Sequence, residues 1–165
     1  MNYSSSPSVP VEIPNINHGF QVAKGLLKVK EDGLHFEFEV KDSFVGLVTS
    51  GVQSSVVSYA DLEDLRFEKG WWSAKIILEG TSMKVFEDLP GSEQGRLKLK
   101  VKRSDREDAQ NAVSSARVHL SEYKLKELDD ENMEGEVLES INPAGILNYD
   151  RVRDSKRLAD IPFRT

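Results

Sequence analysis

The chain has 165 residues, of which 38% are hydrophobic and 30% charged, a balance typical of one globular domain with extensions. The formal net charge of −6 opposes general attraction to nucleic acid or anionic lipid, so we expect no nucleic-acid partner. The chain has no cysteine, which excludes disulfides and thiolate metal sites. It has no long apolar run and no secretory signal pattern, so we expect a cytoplasmic protein without a membrane span.

The N-terminal stretch, residues 1–18, predicts an extended arm. It is rich in Ser, Pro and Asn, and apolar residues are spaced through it. Pro7, Pro10 and Pro14 exclude a helix and argue against a strand in the middle of a sheet. We therefore expect the arm either to lie on the domain or to remain loose.

The middle of the chain predicts seven short strands. Apolar and polar residues alternate along residues 34–41, the period of a strand with one buried face. Asp32-Gly33, just before them, predicts a tight hairpin turn, and residues 42–51 predict a long connection. The strands are expected at residues 20–30, 34–41, 52–59, 64–68, 71–78, 83–86 and 97–102.

A capped amphipathic helix follows the last strand. Ser104 and Glu107 have the spacing of a capping box, in which the Ser104 hydroxyl accepts from the Glu107 amide. The helix carries one apolar stripe that must be buried against the strands. The stripe consists of Ala109, Ala112, Val113, Ala116, Leu120 and Tyr123.

Residues 129–165 predict a tail, acidic over 129–139 and basic over 151–164. Gly135, Pro143 and Gly145 interrupt any regular pattern, so we expect the tail to be disordered or docked through its apolar side chains. These are Val137, Leu138, Ile141, Ile146, Leu147 and Tyr149.

Several local sequences resemble the bacterial pleckstrin-homology-like domains: residues 57–65, Lys69-Gly70-Trp71-Trp72, Asp88-Leu89-Pro90-Gly91 and residues 97–109. The resemblance implies a mainly β fold over residues 19–128. This fold is a seven-stranded, partly open barrel of two orthogonal antiparallel sheets, capped by one C-terminal helix. It also implies a non-catalytic interaction module that binds a protein or peptide partner, with no cofactor.

The same resemblance suggests a binding groove between the fifth strand, residues 71–78, and the helix, where relatives take a peptide as an added strand. The helix edge beside this groove is expected near Arg106, Gln110, Val113 and Arg117.

Trp71 and Trp72 are adjacent on the predicted fifth strand, so their rings should point to opposite faces. One ring then lies outside the core. Either it is exposed and serves as an anchor for a partner or for a homo-oligomer, or another part of the chain covers it.

The face of the seventh strand that is expected to be exposed to solvent is basic. It is formed by Arg96, Lys98, Lys100, Lys102 and Arg103, and we call it the basic face. This face supports an alternative function, peripheral association with a membrane or anionic lipid, although such a stripe is often simply solvated. A phosphoinositide site is not expected, because Glu31, Glu37 and Glu39 offset Lys28 and Lys30 around the first hairpin.

No residue pattern supports catalysis, so we expect no enzyme. His18, His35 and His119 lie apart in the sequence, with no nucleophile motif near them. His119 and Glu122 have a spacing that could share a metal, but two ligands make a weak site and we predict none.

Overall fold

The computed structural model describes residues 7–48 and 50–141, with side chains described up to residue 132. Seven antiparallel strands form one sheet that does not close, in the order β4-β3-β2-β1-β7-β6-β5. The predicted class, mainly β with one C-terminal helix, is therefore confirmed. The elements are β1 Ser8–Ile16, β2 Gln21–Lys30, β3 Gly33–Asp42, β4 Gln53–Ser58, β5 Leu62–Lys69, β6 Ser73–Gly80, β7 Arg96–Lys102 and α1 Arg106–Ile141.

The strand β1 is the main departure from the sequence analysis, which argued against a central strand in the N-terminal stretch. Instead β1 pairs with β2 on one side and with β7 on the other, and so joins the two halves into one sheet rather than two. Its side chains Val9, Val11 and Ile13 are buried in the core.

Strand alternation explains how β1 tolerates its prolines. The Val29 amide donates to the Pro7 carbonyl. Because main-chain groups alternate between the two sides of a strand, the odd-numbered residues of β2 are the ones that bond to β1. Their partners on β1 are Val9, Val11 and Ile13, so the residues between them direct their main chain towards β7. Pro10 lies at such a position, where the missing N–H leaves the β1–β2 ladder intact, and Pro14 lies in the register shift between Ile13 and Ile16, where no ladder bond is formed. On the β7 side the pairing is reduced to Glu12 with Lys100.

The predicted sixth strand at residues 83–86 is wrong, because these residues form turns. Phe86 and Leu89 nevertheless fill the core from this connection. The described structure still has seven strands, because β1 was not among the predicted strands and replaces the one predicted at residues 83–86.

The helix stripe faces the core as predicted. Ala109, Ala112, Val113, Ala116 and Leu120 are buried, and Tyr123 packs at the margin of the same cluster. Alanine at three of these positions, Ala109, Ala112 and Ala116, lets the helix lie close to the sheet, because its side chain is a single methyl group.

The predicted capping box does not form. Residues 103–105 make a 3-10 turn before α1, and the Ser104 hydroxyl donates to Asp105 Oδ1 at 2.9 Å rather than accepting from Glu107. Glu107 and Asp108 still place negative charge at the positive end of the helix dipole.

The helix α1 continues through Gly135, where the sequence predicts an interruption of regular structure. The chain divides into two units, residues 1–125 with the sheet and residues 126–165 with the remainder of α1. The predicted tail from residue 142 onwards lies outside the described residues. Within the described part, no helix is long and apolar enough to span a membrane.

Candidate functional site

Among the described residues, the strand β5 lies at the end of the sheet and has one open edge. The Gly80 amide donates to the Gly95 carbonyl, so even-numbered residues of β6 direct their main chain towards β7 and odd-numbered ones towards β5. On β5, the residues paired with these odd-numbered residues of β6 are Asp64, Arg66 and Glu68, so their main-chain groups bond to β6. The main-chain groups of Phe67 and Lys69 therefore point to the open edge.

The helix α1 runs alongside this edge. The Arg106 Nη2 donates to the carbonyls of Gly70 and Trp71, at 2.5 and 2.8 Å, just after β5 ends. Near the other end, Lys124 Nζ donates to the Glu63 carbonyl at 2.8 Å, where β5 begins. The two cations hold the helix against both ends of the strand.

Arg106 and Lys124 lie on one line of the helix surface, because they are 18 positions apart, about five turns at 3.6 residues per turn. The same periodicity places Gln110 and Arg117 close to this line, and both are exposed. We call the space between them and the open edge of β5 from Leu65 to Lys69 the β5 groove.

The predicted groove used the wrong strand. The segment 71–78 mostly corresponds to β6, which pairs with β5 on one side and β7 on the other, so it has no edge for an added strand. The predicted helix residues agree with the structure better than the predicted strand does. Gln110 and Arg117 are available to a ligand, Arg106 already holds the β5–β6 turn, and Val113 is only 4% exposed because it belongs to the core.

The two tryptophans are not on a strand, so the predicted alternation does not apply to them. They lie in the bend before β6, and Trp71 and Trp72 are 80% and 79% exposed. A concavity lined by both tryptophans together with Glu68, Lys69 and Lys75 lies at this turn. Because Arg106 binds the Trp71 carbonyl, the structure brings both indoles to the same end of the β5 groove as the start of α1.

Four cations of the basic face lie on the exposed side of β7, as predicted, and Arg103 lies in the 3-10 turn that follows it. The five cations differ in their partners. Arg96 pairs with Glu79 at 2.9 Å, and Lys100 lies 4.0 Å from Glu12. Among the described residues no ion pair forms with the remaining three, Lys98, Lys102 and Arg103. This face therefore keeps unneutralised positive charge on both sides of Glu12.

The first hairpin uses its cations and its histidine in local pairs. Lys28 Nζ donates to Glu37 Oε1 at 2.6 Å and lowers the pKa of that carboxyl. His35 Nε2 donates to Asp32 Oδ1 at 2.9 Å, and this hydrogen bond lowers the pKa of Asp32. A phosphate group at this turn would compete with those carboxylates for Lys28 and His35.

His119 packs against the buried ring of Tyr59, with ring centroids 5.7 Å apart, and its Nδ1 lies 3.5 Å from Glu122. Burial raises the pKa of Tyr59 to about 12, and its hydroxyl donates to the Lys30 carbonyl at 2.8 Å. Within residues 7–48 and 50–132, whose side chains the structure describes, no three His, Asp or Glu side chains are grouped closely enough to hold a metal ion.

Two features of the surface were not predicted from the sequence. The open edge of β5 was not, because pairing between distant strands decides which strand lies at the end of a sheet. Residues 43–60 were not singled out either, although they contain no charged residue and carry exposed apolar side chains. The absence of charge was readable from the sequence. Comparison with family models, curated proteins and solved structures finds no match for this chain.

Proposed function

We propose that the chain is a non-catalytic interaction module of the bacterial pleckstrin-homology-like type, which binds an extended segment of a protein partner in the β5 groove. The observation that carries this proposal is the open edge of β5 lying beside α1, with both ends of the strand held by Arg106 and Lys124. A cytoplasmic location is part of the same proposal.

The groove offers the two kinds of contact that strand addition needs. The outward main-chain groups of Phe67 and Lys69 supply hydrogen bonds that any extended peptide can complete. Arg117 adds an exposed cation on the facing helix, which favours a peptide with a carboxylate at the matching position. The exposed rings of Trp71 and Trp72 provide apolar surface where the groove ends.

Amide hydrogen exchange tests the geometry of the added strand. Peptides selected from a displayed library of random sequences of about 12 residues are bound to the full chain. We expect the Phe67 and Lys69 amides to become protected on binding. The Arg66 and Glu68 amides, already paired with β6, should change little.

A charge reversal tests the helix side of the groove. Arg117→Glu should weaken binding of acidic peptides about fivefold or more, since one charge-assisted hydrogen bond contributes at least about 1 kcal/mol. Lys84→Glu is the matched control, an exposed lysine in the β6–β7 connection. Peptide binding that leaves the Phe67 and Lys69 amides unprotected would contradict the proposal.

A second candidate function, peripheral association with anionic lipid, is favoured by the unpaired charges of Lys98, Lys102 and Arg103 on the basic face. The double variant Lys98→Glu/Lys102→Glu should lower binding to phosphatidylserine-containing vesicles by about tenfold or more, because each basic residue near such a surface contributes about 1 kcal/mol. Lys84→Glu again serves as control. Vesicle flotation that is absent, or insensitive to salt and to the double variant, excludes this function.

A further inference from the structure

Residues 43–60 form an uncharged segment in a chain of which 30% is charged. The segment covers the whole β3–β4 connection, all of β4 and the first two residues of the following turn. Asp42 orders its start by accepting from the Phe44 and Val45 amides at 2.9 and 3.0 Å. Much of its apolar surface faces outward, with exposed side chains at Phe44, Val45, Leu47, Val48, Val52 and Val56.

The strand β4 is the other end of the sheet and also has an open edge in the part of the chain that the structure describes. The Asp42 amide donates to the Leu47 carbonyl, so even-numbered residues of β3 direct their main chain towards β4. The pairing of Phe36 with Ser55 then directs odd-numbered residues of β4 towards β3. The main-chain groups of Ser54, Val56 and Ser58 are left on the open edge.

The two open edges of the sheet differ in how they are protected. The edge of β5 has an irregular register near Glu63, five charged side chains and a main-chain contact from Lys124. The edge of β4 has no charge, no proline and no register shift within Gln53–Ser58. Charge, proline and bulges are the devices that prevent edge-to-edge pairing, and β4 lacks all of them.

We propose that β4 pairs with β4 of a second copy of this chain, antiparallel, about a two-fold axis at Val56. This register is self-complementary, because it sets Val56 opposite Val56 of the second copy and Ser54 opposite Ser58. All three outward residues then face outward residues, forming about six main-chain hydrogen bonds. The exposed Val56 side chains meet as a cross-strand pair.

Charge favours a second copy over a lipid surface. Each chain carries a net charge of −6, so two copies repel least where they meet across a segment without charge. The same segment has no Lys or Arg to attract anionic headgroups. Lipid tails cannot satisfy the outward amides and carbonyls of β4, whereas a second strand satisfies them all.

The apolar side chains beside β4 supply further contact area. A stable interface buries about 1,200–2,000 Å² in total, more than a six-residue strand pair provides. The strand register ends at Ser58, where a 3-10 turn begins, so the exposed Val52 just before β4 lies beside this turn of the second copy. The β3–β4 connection, with Phe44 packed on Phe20 at 5.9 Å between ring centroids, then extends the contact.

A single introduced cysteine tests the axis, because the chain has none of its own. In a hydrogen-bonded antiparallel pair the Cα atoms are about 5.5 Å apart, within the range that a disulfide spans. Val56→Cys should therefore form a covalent dimer under mild oxidation. Val118→Cys, at a helix position of similar exposure, should form one at least about tenfold more slowly.

Sedimentation of the full chain gives an independent readout. We expect a concentration-dependent dimer that Val56→Lys abolishes and Val118→Lys leaves unchanged. A monomer at all concentrations up to about 0.1 mM, equal effects of the two lysine variants, or a dimer that dissociates with Trp71→Ala or Trp72→Ala but not with Val56→Lys would each overturn the proposal.

Discussion

A chain that lacks residues 1–16 is expected to be unfolded at room temperature. Residues 8–16 form β1, the strand that bonds to both β2 and β7, so their removal splits the sheet and exposes two new edges. The buried side chains lost with β1 are Val9, Val11, Ile13 and Ile16. At about 1.5–3 kcal/mol each, their burial is comparable with the whole stability of a typical domain, about 5–15 kcal/mol.

Circular dichroism and amide NMR spectra distinguish the outcomes. The truncated chain should lose its cooperative thermal transition and its amide dispersion. A control chain that lacks only residues 1–6 retains all of β1 and should unfold cooperatively. If the chain without residues 1–16 kept a dispersed spectrum and a cooperative transition, β1 would not be the element that joins the two halves.

Ala116→Asp is the second change expected to have a large effect. Ala116 is fully buried where α1 packs on the core, and the described structure places no cationic side chain in the core to pair with an introduced carboxylate. Burial of an unpaired charge should lower the free energy of unfolding by about 4 kcal/mol or more. Val118→Asp, two positions along the helix on its exposed side, should change it by less than about 1 kcal/mol.

The pH dependence of Ala116→Asp identifies the cause of the loss. Burial raises the folded-state pKa of the introduced carboxyl above its unfolded value, so the variant is least impaired at low pH and loses stability as the pH rises through that interval. Urea unfolding at neutral pH and near pH 4 measures the difference. Equal losses for Ala116→Asp and Val118→Asp would show that the stripe does not face the core.

Local patterns predicted the elements that depend on a single segment. The alternation through Phe36 and Phe38 identified β3, and the spacing of Ala109, Ala112 and Ala116 identified the buried side of α1. The same alternation runs through Val9, Val11 and Ile13, but the prolines between them outweighed it in the sequence analysis. The position of each proline relative to β2 and β7 decides whether the missing N–H matters, and that depends on pairing with distant residues.

The candidate binding sites also combine features that local spacing predicts with features that pairing between distant residues decides. The helix edge from Arg106 to Arg117 was expected from the resemblance, and the helical spacing along the chain places these residues on one line. The exposure of both Trp71 and Trp72 followed from a bend before β6 that the strand pattern concealed. The strand that faces the helix was predicted wrongly, because an open edge is the absence of a neighbour and no local pattern reports it.

By itself, the sequence determined a mainly β chain with a buried helix stripe, a basic face on β7 and an uncharged segment from residue 43 to residue 60. Each is a property of side chains at fixed spacing, which the local backbone period converts directly into faces. Only the tertiary structure decided that β1 lies in the middle of the sheet and that β4 and β5 lie at its ends. Strand order is set by hydrogen bonds and burial between residues far apart in the chain, whose energies no single segment carries.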